Sequence, residues 1–135
     1  MFRTTMAVLL LTTAAPALVQ AQPAGRAFEM RTYYAAPGKL DALNARFKDH
    51  TLALFKKHGM DVVGFWMPTD KEAGAGEKLV YILAHKSRDA AAASWKAFGA
   101  DPAWVAARTA SEVDGRLTTK IETVFLVGTD YSPLK

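Results

Sequence analysis

An amphipathic stretch over residues 37–59 constrains the fold more than any other part of the chain. Its apolar side chains recur at steps of three and four residues, which places them along one face of an α-helix. That face carries Leu40, Leu43, Phe47, His50 and Leu54. Charged residues such as Arg46 fill the remaining surface, and Gly59 follows the last periodic residue, where a left-handed glycine commonly ends a helix. The stretch therefore predicts a helix with one side against a core.

Four other stretches have the composition of β-strands. Residues 28–34 and 117–127 alternate between two sets of side chains with a period of two. Residues 60–67 hold Val, Phe and Trp around Gly64, and a glycine inside such a run indicates a bulge or a close backbone approach. Residues 78–85 are nearly all apolar, which predicts a central strand covered on both faces.

Two shorter helices are predicted between the third and fourth strands. Ser87 is a favourable N-cap for a helix over residues 88–98, and Gly99 is expected to end that helix. Asp101 is the expected cap of the next helix, over residues 102–114, whose first residue is a proline.

The order of elements is strand, helix, strand, strand, helix, strand. This order predicts an α+β fold, the ferredoxin-like βαββαβ arrangement of a four-stranded antiparallel sheet with helices on one face. The second sheet face has apolar positions and no helices left to cover it. A second copy of the chain is its simplest cover, so we expect a homodimer in which the two sheets form a barrel.

The amino terminus has the features of a secretory signal peptide. Residues 1–21 contain an early arginine, a short apolar run and a small-residue cleavage signal ending at Ala21. A retained membrane anchor is the alternative, but Pro16 interrupts the run, which is shorter than the roughly 20 residues of a bilayer span. We therefore expect a periplasmic or secreted protein without a stable membrane span, with a linker over 22–27 and one domain over 28–135.

The composition excludes several classes of site. The 135 residues include no cysteine, which rules out disulfides, thiol nucleophiles and cysteine metal sites. The formal net charge is +4, and the basic residues are scattered among acids, so no nucleic-acid partner is expected. The three histidines lack a paired-ligand spacing, so no metal site is expected.

Several short motifs together resemble the NIPSNAP family. They are Phe28-Glu29-Met30-Arg31-Thr32-Tyr33, Pro37-Gly38-Lys39, Phe47 with His50, Lys57-His58-Gly59, Gly64-Phe65-Trp66, Asp101-Pro102-Ala103-Trp104 and Tyr131-Ser132-Pro133. The resemblance spans nearly all of the chain after the leader and implies the dimeric α/β-barrel fold. It implies no established catalytic residues, although related barrel families include cofactor-free monooxygenases and haem-handling enzymes. His85 stands where the family more often has an aromatic residue.

His50 is the candidate catalytic residue. It lies within an apolar helical stripe that should face the sheet, where a ligand pocket is expected, and it could act as a base, a haem ligand or a hydrogen-bond donor. The structural alternative is a buried histidine whose hydrogen bonds are made to a backbone carbonyl or to Thr32.

The other candidate ligand-binding residues lie on strands. Glu29, Arg31 and Tyr33 share one strand face and could bind a polar ligand, or Glu29 and Arg31 could form a structural ion pair across a dimer. Trp66 and Tyr81 are candidates on the second and third strands, although aromatic residues there are commonly core. The period-two pattern leaves open which sheet face borders the helices.

The sequence therefore predicts an exported homodimer that binds a small apolar or aromatic molecule, with catalysis not established and no cofactor required. One alternative is a cofactor-independent monooxygenase or a haem-handling enzyme. Another is a protein-interaction module that works through the loop 69–77 and the tail 129–135.

Overall fold

The computed structural model has four strands, β1 (Ala27–Ala35), β2 (Asp61–Trp66), β3 (Lys78–His85) and β4 (Thr118–Leu126). They form one antiparallel sheet in the order β2-β3-β1-β4. The structure describes residues 25–135, so the predicted signal peptide lies outside the described residues. The predicted α+β, ferredoxin-like arrangement is confirmed.

The helices lie between the strands in the predicted order. They are α1 (Leu40–Arg46), a π-helical turn (Phe47–Thr51), α2 (Leu52–Lys57), α3 (Arg88–Ala100) and α4 (Pro102–Ser111), with a short 3₁₀ turn at Lys71–Ala73. Ser87 and Asp101 cap α3 and α4 as predicted, by accepting hydrogen bonds from backbone N–H groups. Within residues 25–135, no helix is both long enough and apolar enough to cross a membrane.

Two predicted helix ends were wrong. Gly99 does not end α3, because the helix continues to Ala100 and the N–H of Asp101 still bonds the carbonyl of Phe98 at 3.1 Å. The fourth helix ends at Ser111 rather than at residue 114.

The π-helical turn overturns the predicted orientation of His50. The N–H of Leu52 donates to the carbonyl of Phe47, five residues earlier, so this turn contains one residue more than an α-helical turn. One extra residue shifts every later position by about 100° around the helix axis. Thr51 therefore takes the inward place and is 2% exposed, whereas His50 is exposed. The prediction that His50 faces the sheet was wrong.

Arg46 is buried, although its charge indicated a surface position. Its side chain is 5% exposed, and Nη1 donates to Glu112 Oε1 at 3.1 Å and to Ser111 Oγ at 3.2 Å. The guanidinium also lies 5.1 Å from the ring centroid of Trp104. These partners come from α4 and from the residue that follows it, which the pattern of a single helix does not reveal.

An aromatic core fills the space between the sheet and the helices. Its buried rings are Tyr33, Phe47, Phe55, Tyr81 and Phe98, and partly buried Phe65, Trp95 and Trp104 pack against them. Many neighbouring rings meet edge to face, as for Phe55 and Trp95 with centroids 5.6 Å apart. Trp95 and Trp104 therefore anchor the second helical segment against this core.

The structure shows which sheet face borders the helices. On β1, the side chains of Glu29, Arg31 and Tyr33 point to the helices. On the other face of β3, Val80 and Ile82 are only half-buried. The prediction that this strand is covered on both faces therefore holds, within the described chain, only for the helical side.

The predicted irregularity at Gly64 is confirmed. The β2–β3 register shifts between Val62 and Gly64, as in a bulge. A Cβ atom at Gly64 would lie 2.7 Å from Cη2 of Trp66, so the glycine makes room for this ring on the open face.

Candidate functional site

A buried carboxylate connects three elements of the fold. Glu29 of β1 is 1% exposed. It accepts hydrogen bonds from Arg31 Nη1 at 2.8 Å, from Trp95 Nε1 at 2.7 Å and from His85 Nε2 at 2.8 Å. We call Glu29, Arg31, His85 and Trp95 the Glu29 hub. The hub joins β1 to the end of β3 and to α3.

Local sequence brings the donors of the hub to one place. The β1–β3 register pairs Ala27 with His85, so His85 lies two residues along the sheet from Glu29, within side-chain reach. Ser87 Oγ accepts from Ala90 N at 3.0 Å and thereby starts α3, which carries Trp95 back across the sheet two turns later.

The hub keeps its carboxylate ionised. Burial opposes the charge of Glu29, but the hydrogen bonds from His85, Trp95 and Arg31 outweigh it and lower the pKa of this carboxyl below its ordinary value. Since Glu29 is an acceptor, His85 donates through Nε2, and its Nδ1 is the remaining ring nitrogen.

Two nitrogen atoms of the hub are buried without a hydrogen-bond partner. They are Arg31 Nε and His85 Nδ1. The guanidinium of Arg31 lies 4.2 Å from the ring centroid of Trp95 and 5.7 Å from that of Tyr33. Its contacts are thus one ion pair and two aromatic faces, and its hydrogen-bonding capacity is not used up.

A tyrosine pair lies next to Arg31 in the core. Tyr81 Oη donates to Tyr33 Oη at 3.1 Å, and Tyr81 is fully buried. Burial, reinforced by Tyr33, raises the pKa of Tyr81 well above its ordinary value. The Tyr81 hydroxyl is therefore neutral and acts as a hydrogen-bond donor rather than as a base.

The helix-facing side of β4 borders the hub and is open to solvent. Arg31 pairs with Thr123 across the β1–β4 ladder, and Glu29 pairs with Phe125. Thr123 is exposed, Phe125 is half-buried, and Ile121 is 43% exposed. We call Ile121, Thr123 and Phe125 the β4 shelf. The buried charges therefore lie beside an accessible strip on the edge strand.

The structure brings together four of the six predicted ligand-binding residues. Glu29, Arg31, Tyr33 and Tyr81 lie in or next to the hub, and the ion pair between the first two forms within one strand. The other two lie elsewhere, because His50 is exposed on the π-helical turn and Trp66 is 50% exposed on the open sheet face.

Sequence reasoning missed the roles of His85 and Trp95 in this site. His85 was regarded only as the end of a strand, but its side chain is 1% exposed and bonded to Glu29. The available signal was a histidine that closes an apolar strand.

A second carboxylate forms a comparable cluster at the rim of the helical layer. Asp101 accepts from Lys57 Nζ at 2.6 Å, from His58 Nε2 at 2.8 Å and from the N–H of Ala103 at 2.9 Å. We call these groups the Asp101 hub. His58 thus ties the end of α2 to the start of α4.

The open sheet face carries an apolar concavity of about 290 Å³. Its floor includes Phe28, Val63, Ile82 and Leu126, and the folded-back tail contributes Leu134. It lies on the opposite side of the sheet from the Glu29 hub.

Among residues 25–135, no group of three or more His, Asp or Glu side chains is arranged to hold a metal ion. His50, the candidate haem ligand, is exposed and therefore does not fit a haem group enclosed between the sheet and the helices of one subunit.

Comparisons with known proteins agree with this architecture. The family model for NIPSNAP matches residues 28–133. A NIPSNAP family protein with unknown function from Agrobacterium tumefaciens is 25% identical, with a TM-score of 0.70 over 84% of this chain and 97% of that chain. An uncharacterized NIPSNAP domain protein from Burkholderia xenovorans is 25% identical, with a TM-score of 0.67 over 79% of this chain and 98% of that chain.

A more distant likeness concerns the fold alone. A mutant of SnoaB, a cofactor-independent oxygenase from Streptomyces nogalater, is 16% identical, with a TM-score of 0.51 over 82% of this chain and 99% of that chain. Among curated protein sequences, no significant match to this chain was found. Because the family model covers most of its length, the chain belongs to the NIPSNAP family.

Proposed function

We propose that this protein is an exported homodimer that binds a small apolar or aromatic molecule at the β4 shelf. Residues 1–21 have the pattern of a cleaved leader and support export. Binding, rather than a defined reaction, is what the arrangement of the site supports best.

One observation carries the proposal: a charged cluster buried among aromatic rings reaches an uncovered strip of an edge strand. Ile121 and Thr123 are exposed next to Arg31, so the buried charges of the hub are close to solvent on the side of β4. Ligand sites typically combine apolar and aromatic walls with a few polar groups at fixed positions. The shelf and the hub supply both components.

The open sheet face supports the dimer. Val63, Trp66, Val124 and Leu126 are each at least 36% exposed on β2 and β4. A contiguous apolar surface of this kind typically marks an interface in a water-soluble protein. Covering it with a second copy would also bury the concavity and leave the helix-facing shelf free for the ligand.

Native mass spectrometry of the protein purified from cells that express the full chain tests all three parts. We expect the subunit mass to be that of residues 22–135, so that the chain starts at Gln22. We also expect a dimer, and a discrete additional mass on that dimer from the bound molecule. A subunit that retains the leader would overturn export, and a monomer would overturn the homodimer.

A pair of variants locates the bound molecule. Thr123→Trp should remove the added mass because the indole fills the β4 shelf, whereas Thr109→Trp, at another exposed threonine, on α4, should keep it. Retention of the added mass in Thr123→Trp, or its absence from the wild-type dimer, would contradict binding at the shelf.

The oxygenase alternative now depends on His85 rather than His50. A carboxylate that holds one imidazole nitrogen leaves the other without a protein partner, and His85 has this arrangement, although a substrate would have to reach the buried Nδ1 for it to act as a base. Oxygen uptake with 1-naphthol as the probe substrate, abolished in His85→Phe, would support this function. Oxygen uptake at the uncatalysed rate, or uptake that the substitution does not change, would contradict the oxygenase function.

A further inference from the structure

The charge balance beside the β4 shelf is positive. Glu29 supplies one negative charge, and Arg31 supplies one positive charge that is paired with it. Arg88, the first residue of α3, adds a second guanidinium, which lies 4.3 Å from the ring centroid of Phe125. Two guanidinium groups therefore flank the shelf, and one carboxylate offsets only one of them.

Arg31 is oriented but not saturated. Nη1 is held by Glu29, the flat face of the group lies 4.2 Å from Trp95, and Nε has no partner. The side chain is 16% exposed, so it lies at the boundary between core and solvent. A guanidinium fixed in this way binds planar anions well, because little rotamer entropy is lost when further hydrogen bonds form.

The shelf offers an apolar surface next to this cation. Successive residues on one face of a strand are about 7 Å apart, so Ile121, Thr123 and Phe125 span roughly 14 Å. That length accommodates one or two aromatic rings, with the hydroxyl of Thr123 opposite Arg31.

We propose that the molecule bound at the β4 shelf is a small aromatic carboxylate, whose ring lies on Ile121 and Phe125 and whose carboxylate accepts hydrogen bonds from Arg31. Arg88 contributes a second positive charge at the outer end. This inference rests on the proposed function and adds the chemical class of the ligand. Carboxylate recognition by a guanidinium is charge-assisted and geometrically specific, which makes Arg31 the specificity-determining residue.

Two matched probes test the ligand class. 4-Fluorobenzoate and 4-fluorobenzamide have the same ring and differ in charge. ¹⁹F NMR titration of each probe with the protein purified from cells that express the full chain reports its binding. We expect the carboxylate to bind at least about tenfold more tightly than the amide, as for hydrogen bonds to a charged group.

Variants then assign the preference to named residues. Arg31→Lys keeps the charge beside Glu29 but loses the planar fork, so the preference for the carboxylate should fall several-fold. Arg88→Gln changes an exposed residue and should lower the preference less, without endangering the fold. Arg108→Gln removes an exposed guanidinium from α4 and is the matched control, in which the preference should persist.

The outcomes separate this inference from the proposed function. Equal binding of the two probes would overturn the carboxylate assignment while leaving a small-molecule site in place. Binding that is insensitive to Arg31→Lys and Arg88→Gln would overturn the assigned anion contacts. Binding of neither probe, combined with a native dimer that carries no added mass, would overturn both proposals together.

Discussion

Glu29 and Asp101 are two buried carboxylates that each accept three hydrogen bonds, yet their surroundings differ. Asp101 accepts hydrogen bonds from a lysine, a histidine and the N–H of Ala103, and it caps α4. Glu29 accepts hydrogen bonds from an arginine, a histidine and a tryptophan, which lie on three elements of the core. Every contact of Asp101 is explained by the joining of two helix ends.

The partners of the two carboxylates show the difference more clearly. Lys57 of the Asp101 hub is 61% exposed, so water can satisfy its remaining donors. In the Glu29 hub, Arg31 Nε and His85 Nδ1 are buried and unpartnered. Buried polar atoms without partners are uncommon in native structures and call for an explanation. The Glu29 hub therefore differs from the Asp101 hub in containing two such atoms, and the third among residues 25–135 is Arg46 Nε, beside Glu112.

The largest effect is expected from Glu29→Leu. The substitution conserves side-chain size but leaves Arg31 charged and without its counter-ion in the core, so the free energy of unfolding should fall by about 3–5 kcal/mol. Urea unfolding followed by tryptophan fluorescence measures the change.

Two further variants test this interpretation. Glu77→Leu, at an exposed position, should change stability by less than about 0.5 kcal/mol. Glu29→Leu combined with Arg31→Leu should recover part of the loss because no uncompensated charge remains. A loss under about 1 kcal/mol for Glu29→Leu would contradict the view that the buried hub differs in kind from the Asp101 hub.

A smaller effect is expected from His85→Phe. The ring volume is nearly kept, but Glu29 loses one donor, so stability should fall by about 1.5–3 kcal/mol, the range for hydrogen bonds to charged groups. His58→Phe is the matched change in the Asp101 hub. It should cost less, because the His58 side chain is 14% exposed against 1% for His85 and water can replace it. Thermal unfolding measures both losses of stability. Equal losses for His85→Phe and His58→Phe would contradict the difference between the two hubs.

The strand and helix order was predictable from sequence because periodicity and capping depend on local residues. The alternation over β1 and the Asp101 cap with its following proline were read correctly. In the first helical segment, the inward positions of Leu43, Phe47 and Leu54 were also predicted correctly, but that of His50 was not. A π-helical turn depends on how the helix packs against the sheet, and the same residues fit a regular α-helix equally well.

The candidate site was only partly predictable for a related reason. Glu29, Arg31 and Tyr33 were identified as one strand face because a period of two depends on sequence alone. His85 and Trp95 join them only through the β1–β3 register and the position of α3. These are tertiary relations, and the single sequence contains no pattern that specifies them.

Acid should reduce the contribution of the Asp101 hub to the stability of the fold, and one variant at Asp101 isolates this contribution. The hydrogen bond from Lys57, with those from Ala103 and His58, holds the pKa of Asp101 well below its ordinary value of 3.8. The native state therefore binds fewer protons than the unfolded state, so this contribution is present above pH 3.8 and is lost as pH falls below it.

Asp101→Asn should accordingly be less stable than wild type at pH 7, and the difference should shrink as pH falls below about 4. Asparagine keeps the cap, so the change reports mainly the lost charge. Urea midpoints between pH 7 and pH 2 measure it, with Asp41→Asn, at an exposed position of α1, as the control. A difference that stays constant with pH would show that the ion pairs of this hub contribute nothing.

The smallest effect is expected from His50→Ala. His50 is exposed and is not among the hydrogen-bond partners of Glu29 or Asp101, so its removal should change stability by less than about 0.5 kcal/mol and leave probe binding at the β4 shelf unchanged. Thr51→Ala, one residue later, should cost more, because Thr51 is 2% exposed and its hydroxyl bonds the carbonyl of Arg46 at 3.3 Å. A regular α-helix would reverse the order of the two losses, since His50 would then be the inward residue. Comparing their thermal unfolding therefore tests the π-helical turn, and with it the assignment of the site to the Glu29 hub instead of His50.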